Sequence, residues 1–308
     1  MKEKVESIAY KLQIRILDIY PDWGLYNLKL ASSGTEFLVF KGDTKALGSL
    51  ALRVVRVSGI NDPNDPPIEA RLLLKQEAVL ASHVISYGVP APEIHALHLG
   101  DDGFDFLASD YIAHDCSEPD AIEFGRLIRT IHDCPIPPIF PVMQTQATIQ
   151  NTIAERLQRR LLILEEKTGI QFNALNKEKI AASLFNHRGK TALLHLDARS
   201  SNILTSRKTI LAIVDWSNSL IGDPSLELAR IAEYGYNAQD GVLSSTFLEG
   251  YGDKNCLTDL PFAVELIYRL DTAVMLTVLF SCALFDTERA KRLMQRVQHL
   301  YAQLLEVI

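Results

Sequence analysis

Hydrophobic and polar positions follow different periods in the two halves of the chain. Five short β-compatible runs, at residues 26–32, 37–41, 50–57, 93–99 and 104–112, are separated by breaks rich in glycine, proline and polar residues. Apolar residues recur at helical spacing in two further segments, 3–12 and 69–86. Period-two alternation is typical of half-buried strands, and recurrence every three or four residues indicates an amphipathic helix. The N-terminal part is therefore predicted to be five strands with one helix between them, after a short helix at the start.

From residue 113 onward, helical spacing dominates. It occurs at residues 121–132, 148–167, 178–185, 224–234 and 261–284. The stretch NDPNDPP at 61–67 and the stretch CPIPPIFP at 134–141 are predicted to be connecting loops. The pattern predicts an α+β protein of two lobes: a β-rich N-lobe at 1–112 that ends in a hinge, and a larger helical C-lobe at 113–308.

Composition narrows the classes of function. The 308 residues are 47% hydrophobic, which is enough for a sizeable core, and the net charge is −7. An acidic chain lacks the basic surface that nucleic acid or an anionic membrane would require, so neither is an expected partner.

The cysteines and the apolar segments bear on the compartment. Cys116, Cys134, Cys256 and Cys282 are far apart, so we expect no disulfide framework and no structural zinc, as in a cytoplasmic protein. The N-terminus carries charges throughout and lacks the apolar core of a secretory signal. The apolar stretch at 273–285 is shorter than the roughly 20 residues that span a bilayer, so we predict a buried helix.

Two neighbouring motifs carry the chemistry. HLDARSSNIL at 195–204 and IVDWSNSLIGDP at 213–224 place polar residues at the ends of short apolar runs. Phosphoryl transfer needs one carboxylate to orient the attacking hydroxyl, and an amide oxygen and a second carboxylate to hold Mg²⁺ against a triphosphate. Asp197 is the candidate for the first task, and Asn202 and Asp215 are the candidate metal ligands.

With these motifs, the sequence resembles the aminoglycoside phosphotransferase/choline kinase-like family, whose members are relatives of protein kinases. The family pattern H-x-D-x-x-x-x-N, its metal-binding aspartate before tryptophan and its G-D-P segment all have counterparts here, although Glu227 stands where the family usually has aspartate. The resemblance implies a bilobal protein-kinase-like fold. It also implies that Arg199, two residues after Asp197, contacts the γ-phosphate.

The same resemblance assigns the nucleotide site to the N-lobe. Arg53 would hold the α- and β-phosphates where most kinases use lysine, Glu77 would pair with Arg53, and backbone groups near Asp110 and Ile112 would bond adenine. The phosphate loop is expected at Ser33, Gly34 and Thr35, and a rival position is Gly24.

The resemblance implies an ATP- or GTP-dependent, Mg²⁺-dependent kinase acting on a hydroxyl of a small molecule. The acceptor could be an antibiotic such as an aminoglycoside, or a metabolite of the choline, homoserine or sugar type. Glu233, Tyr236 and Asp271 are candidate acceptor contacts. A protein kinase is disfavoured because no A-P-E-like anchor follows Asp215, and a nucleotide-binding module without turnover remains a third alternative.

Overall fold

The bounds of the helices and strands come from a computed structural model of the chain. It describes residues 2–34, 36–56, 59–60, 62–139, 141–144, 148–172, 174–187, 189–236 and 244–308. The helices are α1 Lys2–Ile19, α2 Ala70–Ile85, α3 Ala121–Asp133, α4 Ile149–Thr168, α5 Lys177–Phe185, α6 Pro224–Tyr236, α7 Ser245–Tyr251, α8 Phe262–Val278 and α9 Thr287–Leu305. The strands are β1 Tyr26–Ser33, β2 Phe37–Asp43, β3 Ser49–Val55, β4 Gly59–Ile60, β5 Ile68–Glu69, β6 Ile94–Leu99, β7 Asp105–Asp110, β8 Ala192–Leu194, β9 Ile203–Ser206, β10 Thr209–Ile213 and β11 Leu220–Gly222.

The N-lobe is an antiparallel five-stranded sheet in the order β1-β2-β3-β7-β6, with a helix on each face. Along β3, buried and half-buried residues alternate, because successive side chains of a strand point to opposite faces. Leu50, Leu52 and Val54 pack against Leu12 and Ile16 of α1. The first helix is thus longer than the segment 3–12 that the sequence predicts, because its apolar stripe continues across this sheet face.

The other face of the sheet packs on α2 and turns toward the C-lobe. Phe37 and Leu107 contact Leu73 and Leu74 of that helix in one cluster. Arg53 alternates with the buried residues of β3 and therefore lies on this face, with its guanidinium 4.3 Å from the centre of the Phe37 ring.

The C-lobe is a helical bundle around α8. This helix packs against α4, α6 and α9. The short π-helical segment Leu279–Ala283 extends it. Within the described ranges, this extended helix is the one that is long and apolar enough to cross a bilayer. The length argument from residues 273–285 was therefore wrong, because the helix begins at Phe262. Two-thirds of its most apolar window (67%) is buried in the protein, which is the environment of a core helix.

Two short two-stranded sheets carry the residues between the lobes. β8 pairs with β11, and β9 pairs with β10, both antiparallel. The segment 195–202 connects β8 to β9, and Asp215 is the second residue after β10. The sequence prediction of an α+β chain with a sheet-based N-lobe and a helical C-lobe is confirmed.

Candidate active site

The segment 195–202 is held in place by helix α6. The Glu227 carboxylate accepts the backbone N–H groups of His195 (3.1 Å) and Leu196 (2.7 Å). Arg230, one turn further along α6, donates to the carbonyl oxygen of Leu196 at 2.6 Å. Leu196 has a positive φ of 60°, which is unusual for a branched residue and persists only where its surroundings enforce it. The α6 side chains supply that enforcement.

Helix α3 supports Glu227 from behind. His132 Nε2 lies 2.9 Å from a Glu227 oxygen, and a carboxylate only accepts, so this ring nitrogen carries the proton. The Tyr251 hydroxyl lies 3.0 Å from the other ring nitrogen. Burial alone would raise the pKa of Glu227, but its hydrogen bonds to His132 and Leu196 outweigh burial and lower that pKa. Glu227, which stands where the resembled family usually has aspartate, thus still holds the segment 195–202 through its carboxylate.

We expect Glu227→Ala to destabilise the fold and distort the segment 195–202. The change leaves two backbone N–H groups and the His132 N–H buried without an acceptor, at about 1–3 kcal/mol for each unsatisfied group. Urea unfolding measures the loss of stability. Glu227→Gln keeps one acceptor oxygen and is the matched control, so equal stability of the Ala and Gln variants would contradict this role.

Asp197 is buried and is contacted by three donors. Asn202 Nδ2 donates to Oδ2 at 2.7 Å, the Tyr234 hydroxyl donates to Oδ1 at 3.1 Å, and Arg199 Nε forms an ion pair with Oδ1 at 3.0 Å. Burial raises the pKa of Asp197, and the positive charge of Arg199 opposes that rise only in part. A carboxylate whose pKa moves toward neutrality is better matched to accept a proton from a hydroxyl.

Asp215 begins the short turn after β10 in the left-handed region, with φ 71°. Glu77 of α2 fixes this backbone by accepting the N–H groups of Asp215 (3.1 Å) and Trp216 (2.5 Å). Arg53 donates to Asp215 Oδ1 at 2.9 Å, and the Ser217 hydroxyl donates to the same oxygen. Burial alone would raise the pKa of Asp215, but Arg53 and Ser217 lower it to about 2, so this carboxylate is ionised at neutral pH.

The expected Arg53–Glu77 pair is present but is not the closest contact of either side chain. Their nearest atoms, Arg53 Nη1 and Glu77 Oε2, are 3.8 Å apart, whereas Arg53 lies 2.9 Å from Asp215. Glu77 is occupied mainly with the backbone of residues 215–216. The physical reason is that two N–H donors compete with the guanidinium for one buried carboxylate.

The predicted phosphate-loop residues lie at the β1–β2 turn. Ser33 ends β1, and Gly34 donates its N–H to the Phe37 carbonyl at 2.9 Å. Thr35 lies outside the described residues. The rival Gly24 precedes β1 and caps a short 3₁₀ helix, so it is not in the hairpin between the first two strands.

The hinge candidates end β7. The N–H of Asp110 donates to the Glu93 carbonyl at 3.0 Å, and its side chain lies 2.7 Å from His95. Ile112 is the second residue after the strand and is half-buried. The side chain and N–H of Asp110 therefore already have hydrogen-bond partners within the protein. The Asp110 carbonyl oxygen and the Ile112 N–H are the candidates for hydrogen bonds to a nucleotide base.

A cavity of about 200 Å³ lies between the lobes, next to Asp197 and Asp215. Two of the three expected acceptor contacts lie elsewhere. Glu233 is 1% exposed and paired with Arg269 and Arg296, and Asp271 is 2% exposed between two arginines. The side chain of Tyr236 lies outside the described part. These two acids are buried and paired with arginines. The spacing of residues along a helix cannot reveal such pairing.

Arg230 and Tyr234 were missed from the sequence, and Glu227 was noted only as a departure from the family pattern. Glu227, Arg230 and Tyr234 all face the segment 195–202 from α6. Their spacing of three and four residues puts them on one face of a helix, and this is the signal that could have found them. The cavity is also lined by Glu36, in a turn, and by loop residues Asp62, Asn64, Asp65 and Pro66, and neither segment has a pattern of its own.

The sequence profile of the phosphotransferase enzyme family matches residues 27–265. No curated protein sequence matches the chain significantly.

Solved structures share the fold across nearly the whole chain. A protein assigned as a fructosamine-3-kinase of Haemophilus somnus 129PT has 15% identity and a TM-score of 0.65, covering 97% of this chain and 98% of its own. A thermostable mutant of aminoglycoside phosphotransferase APH(4)-Ia, in complex with AMP-PNP and hygromycin B, has 16% identity and a TM-score of 0.64 over 94% and 97%. The GDP complex of an aminoglycoside 2'-phosphotransferase IIIa mutant has 14% identity and a TM-score of 0.62 over 96% and 98%.

At these identities the likeness shows the fold, which is the bilobal protein-kinase-like fold that the sequence predicts. The family profile covers more than half of the chain, including every described residue of the site from Ser33 to Asp215. The chain therefore belongs to the phosphotransferase enzyme family.

Proposed function

We propose that the chain transfers the γ-phosphoryl group of ATP or GTP to a hydroxyl of a small molecule. The observation that carries this is that Asp197 and Asp215 line one cavity and that Asn202 links the two segments that bear them. Asn202 bonds Asp197 through its side chain and accepts the Val214 N–H, next to Asp215, through its carbonyl at 2.9 Å. Relatives crystallised with AMP-PNP, GDP and hygromycin B support nucleotide and acceptor binding at such a site.

In this proposal Asp197 orients the acceptor hydroxyl and accepts its proton. The raised pKa of Asp197 suits proton acceptance, and its three donors orient the carboxylate. Arg53 leaves Asp215 for the α- and β-phosphates, and Arg199 stays a predicted γ-phosphate contact. The N–H of Ile112 and the carbonyl of Asp110 meet the base, and the turn at Gly34 covers the phosphates.

The residues present fit a magnesium ion. Asn202 directs its amide nitrogen to Asp197, which leaves its amide oxygen as a ligand, and Asp215 is an ionised carboxylate that is 30% exposed. Hard oxygen donors of this kind are what Mg²⁺ prefers. When bound, the ion neutralises the charge of the triphosphate.

The acceptor class has two alternatives, a polycationic antibiotic and a small metabolite. Turnover is tested by incubating the protein with ATP or GTP and Mg²⁺, with and without a panel of hydroxylated antibiotics and metabolites, while phosphorus NMR follows the products. Mg²⁺-dependent transfer to a panel member supports the proposal. Nucleotide binding with neither transfer nor hydrolysis would favour the module without turnover.

Glu36 predicts a pH dependence of nucleotide use. Burial, and then the charge of Asp215, raise the pKa of Glu36 to about 7. Above that pH Glu36 adds a negative charge to the cavity lining near Arg53. The kcat/KM for the nucleotide, which reports groups of the free enzyme, should therefore fall as the pH rises through about 7. Glu36→Gln should remove the fall, and Glu6→Gln, at an exposed site, should keep it. An unchanged profile in Glu36→Gln would contradict the assignment.

A further inference from the structure

One N-lobe segment is fastened to the C-lobe beside the cavity. We name residues 62–67, between β4 and β5, the interlobe loop. Arg160 of α4 donates to the Asn64 carbonyl at 3.0 Å and to Asp65 at 3.3 Å, and Arg159 donates to the same carbonyl. Arg156 adds an ion pair with Asp65 at 3.8 Å. Three arginines on one face of α4 thus bind a loop of the other lobe.

The same network of ion pairs continues through the C-lobe to the segment 195–202. Arg160 is fully buried and donates to Asp271 at 2.8 Å. The second Asp271 oxygen lies 3.5 Å from Arg230, which holds the Leu196 carbonyl. Removing one member of a buried ion pair leaves an uncompensated charge, so such a network resists opening. The interlobe loop is therefore fastened to the C-lobe by buried charges, and it forms one wall of the cavity beside Asp197.

The space behind this wall is small, and one part of its lining is apolar. Its volume, about 200 Å³, is below the roughly 300–1,000 Å³ of pockets that hold drug-sized ligands. Six apolar side chains from both lobes line it: Ile68, Leu73, Met143, Met275, Leu276 and Leu279.

We propose, on the basis of the phosphotransfer function above, that the acceptor is a compact molecule of about one ring with an apolar flank, and that the interlobe loop excludes multi-ring acceptors. The loop thereby determines specificity by limiting size. It takes no part in the transfer itself.

The test compares matched acceptors. Transfer from ATP is measured for neutral and singly charged one-ring alcohols, including single amino sugars, and for multi-ring aminoglycosides built from rings of the same kind. We expect transfer to a one-ring member and a kcat/KM at least about 10²-fold lower for the multi-ring compounds. Comparable kcat/KM for a multi-ring aminoglycoside would overturn the size limit, and so would nucleotide hydrolysis without transfer to any one-ring member. Absence of both hydrolysis and transfer would overturn the phosphotransfer function instead.

Variants then test the loop itself. Arg160→Met removes the guanidinium that holds residues 64 and 65, and Asp65→Asn weakens the same contact from the loop side with less risk to folding. Both should narrow the difference in kcat/KM between one-ring and multi-ring acceptors, while nucleotide affinity is kept. Arg15→Met removes a surface ion pair with Asp102 and is the matched control. Unchanged acceptor selectivity in a folded Asp65→Asn protein would refute the role of the loop.

Discussion

Asp197→Asn is expected to lower kcat for phosphoryl transfer by about 10²- to 10⁴-fold, the contribution typical of general acid–base catalysis. The carboxylate is positioned by Asn202, Tyr234 and Arg199, and an amide in its place cannot accept the proton of the acceptor hydroxyl. Its amide oxygen can still accept from Asn202, so the segment should keep its shape. Nucleotide affinity, measured by titration, should therefore stay close to that of the wild type.

The control for Asp197 is Tyr234→Phe. This change removes one donor to Asp197 but leaves the carboxylate, so a much smaller loss of kcat is expected. Single-turnover transfer separates the chemical step from product release. If Asp197→Asn kept most of the wild-type rate, the base would have to be another group.

Asp215→Asn is expected to raise the Mg²⁺ concentration for half-maximal activity by more than about 10- to 100-fold, the range found when only partners of metal ligands are changed. The change removes an ionised oxygen ligand but keeps an oxygen that can accept from Arg53 and Ser217. Nucleotide affinity should fall together with metal affinity, in contrast to Asp197→Asn. Activity measured across a magnesium titration checks this.

The matched control for Asp215 is Ser217→Ala. It removes the hydroxyl donor to Asp215 without removing a ligand, so the magnesium dependence should shift only slightly. Equal magnesium dependence in Asp215→Asn and the wild type would mean that the metal is held elsewhere.

Local pattern was sufficient for the sheet-based N-lobe and the helical C-lobe, and it singled out the three residues on which the proposed function rests. Period-two runs and helical spacing predict a sheet and a bundle, because the side-chain directions of strands and helices depend only on the local backbone. Asp197, Asn202 and Asp215 could be picked out because each lies at the end of a short apolar run. The helix at the start of the chain was underestimated, since its end is decided by packing on the sheet at Leu12 and Ile16.

Tertiary structure alone decided which charged groups meet. Arg53 and Asp215 are 162 positions apart, and His132 and Glu227 are 95 apart, so their contacts depend on how the lobes and helices pack. Asp271 shows the same limit, because an acid on an apolar helix suggests a binding site until Arg160 and Arg230 are found around it. The interlobe loop has the composition of an ordinary connector. It becomes a wall of the cavity because arginines nearly a hundred residues away bind it. Their buried charges require partners, and the local sequence does not show which residues these are.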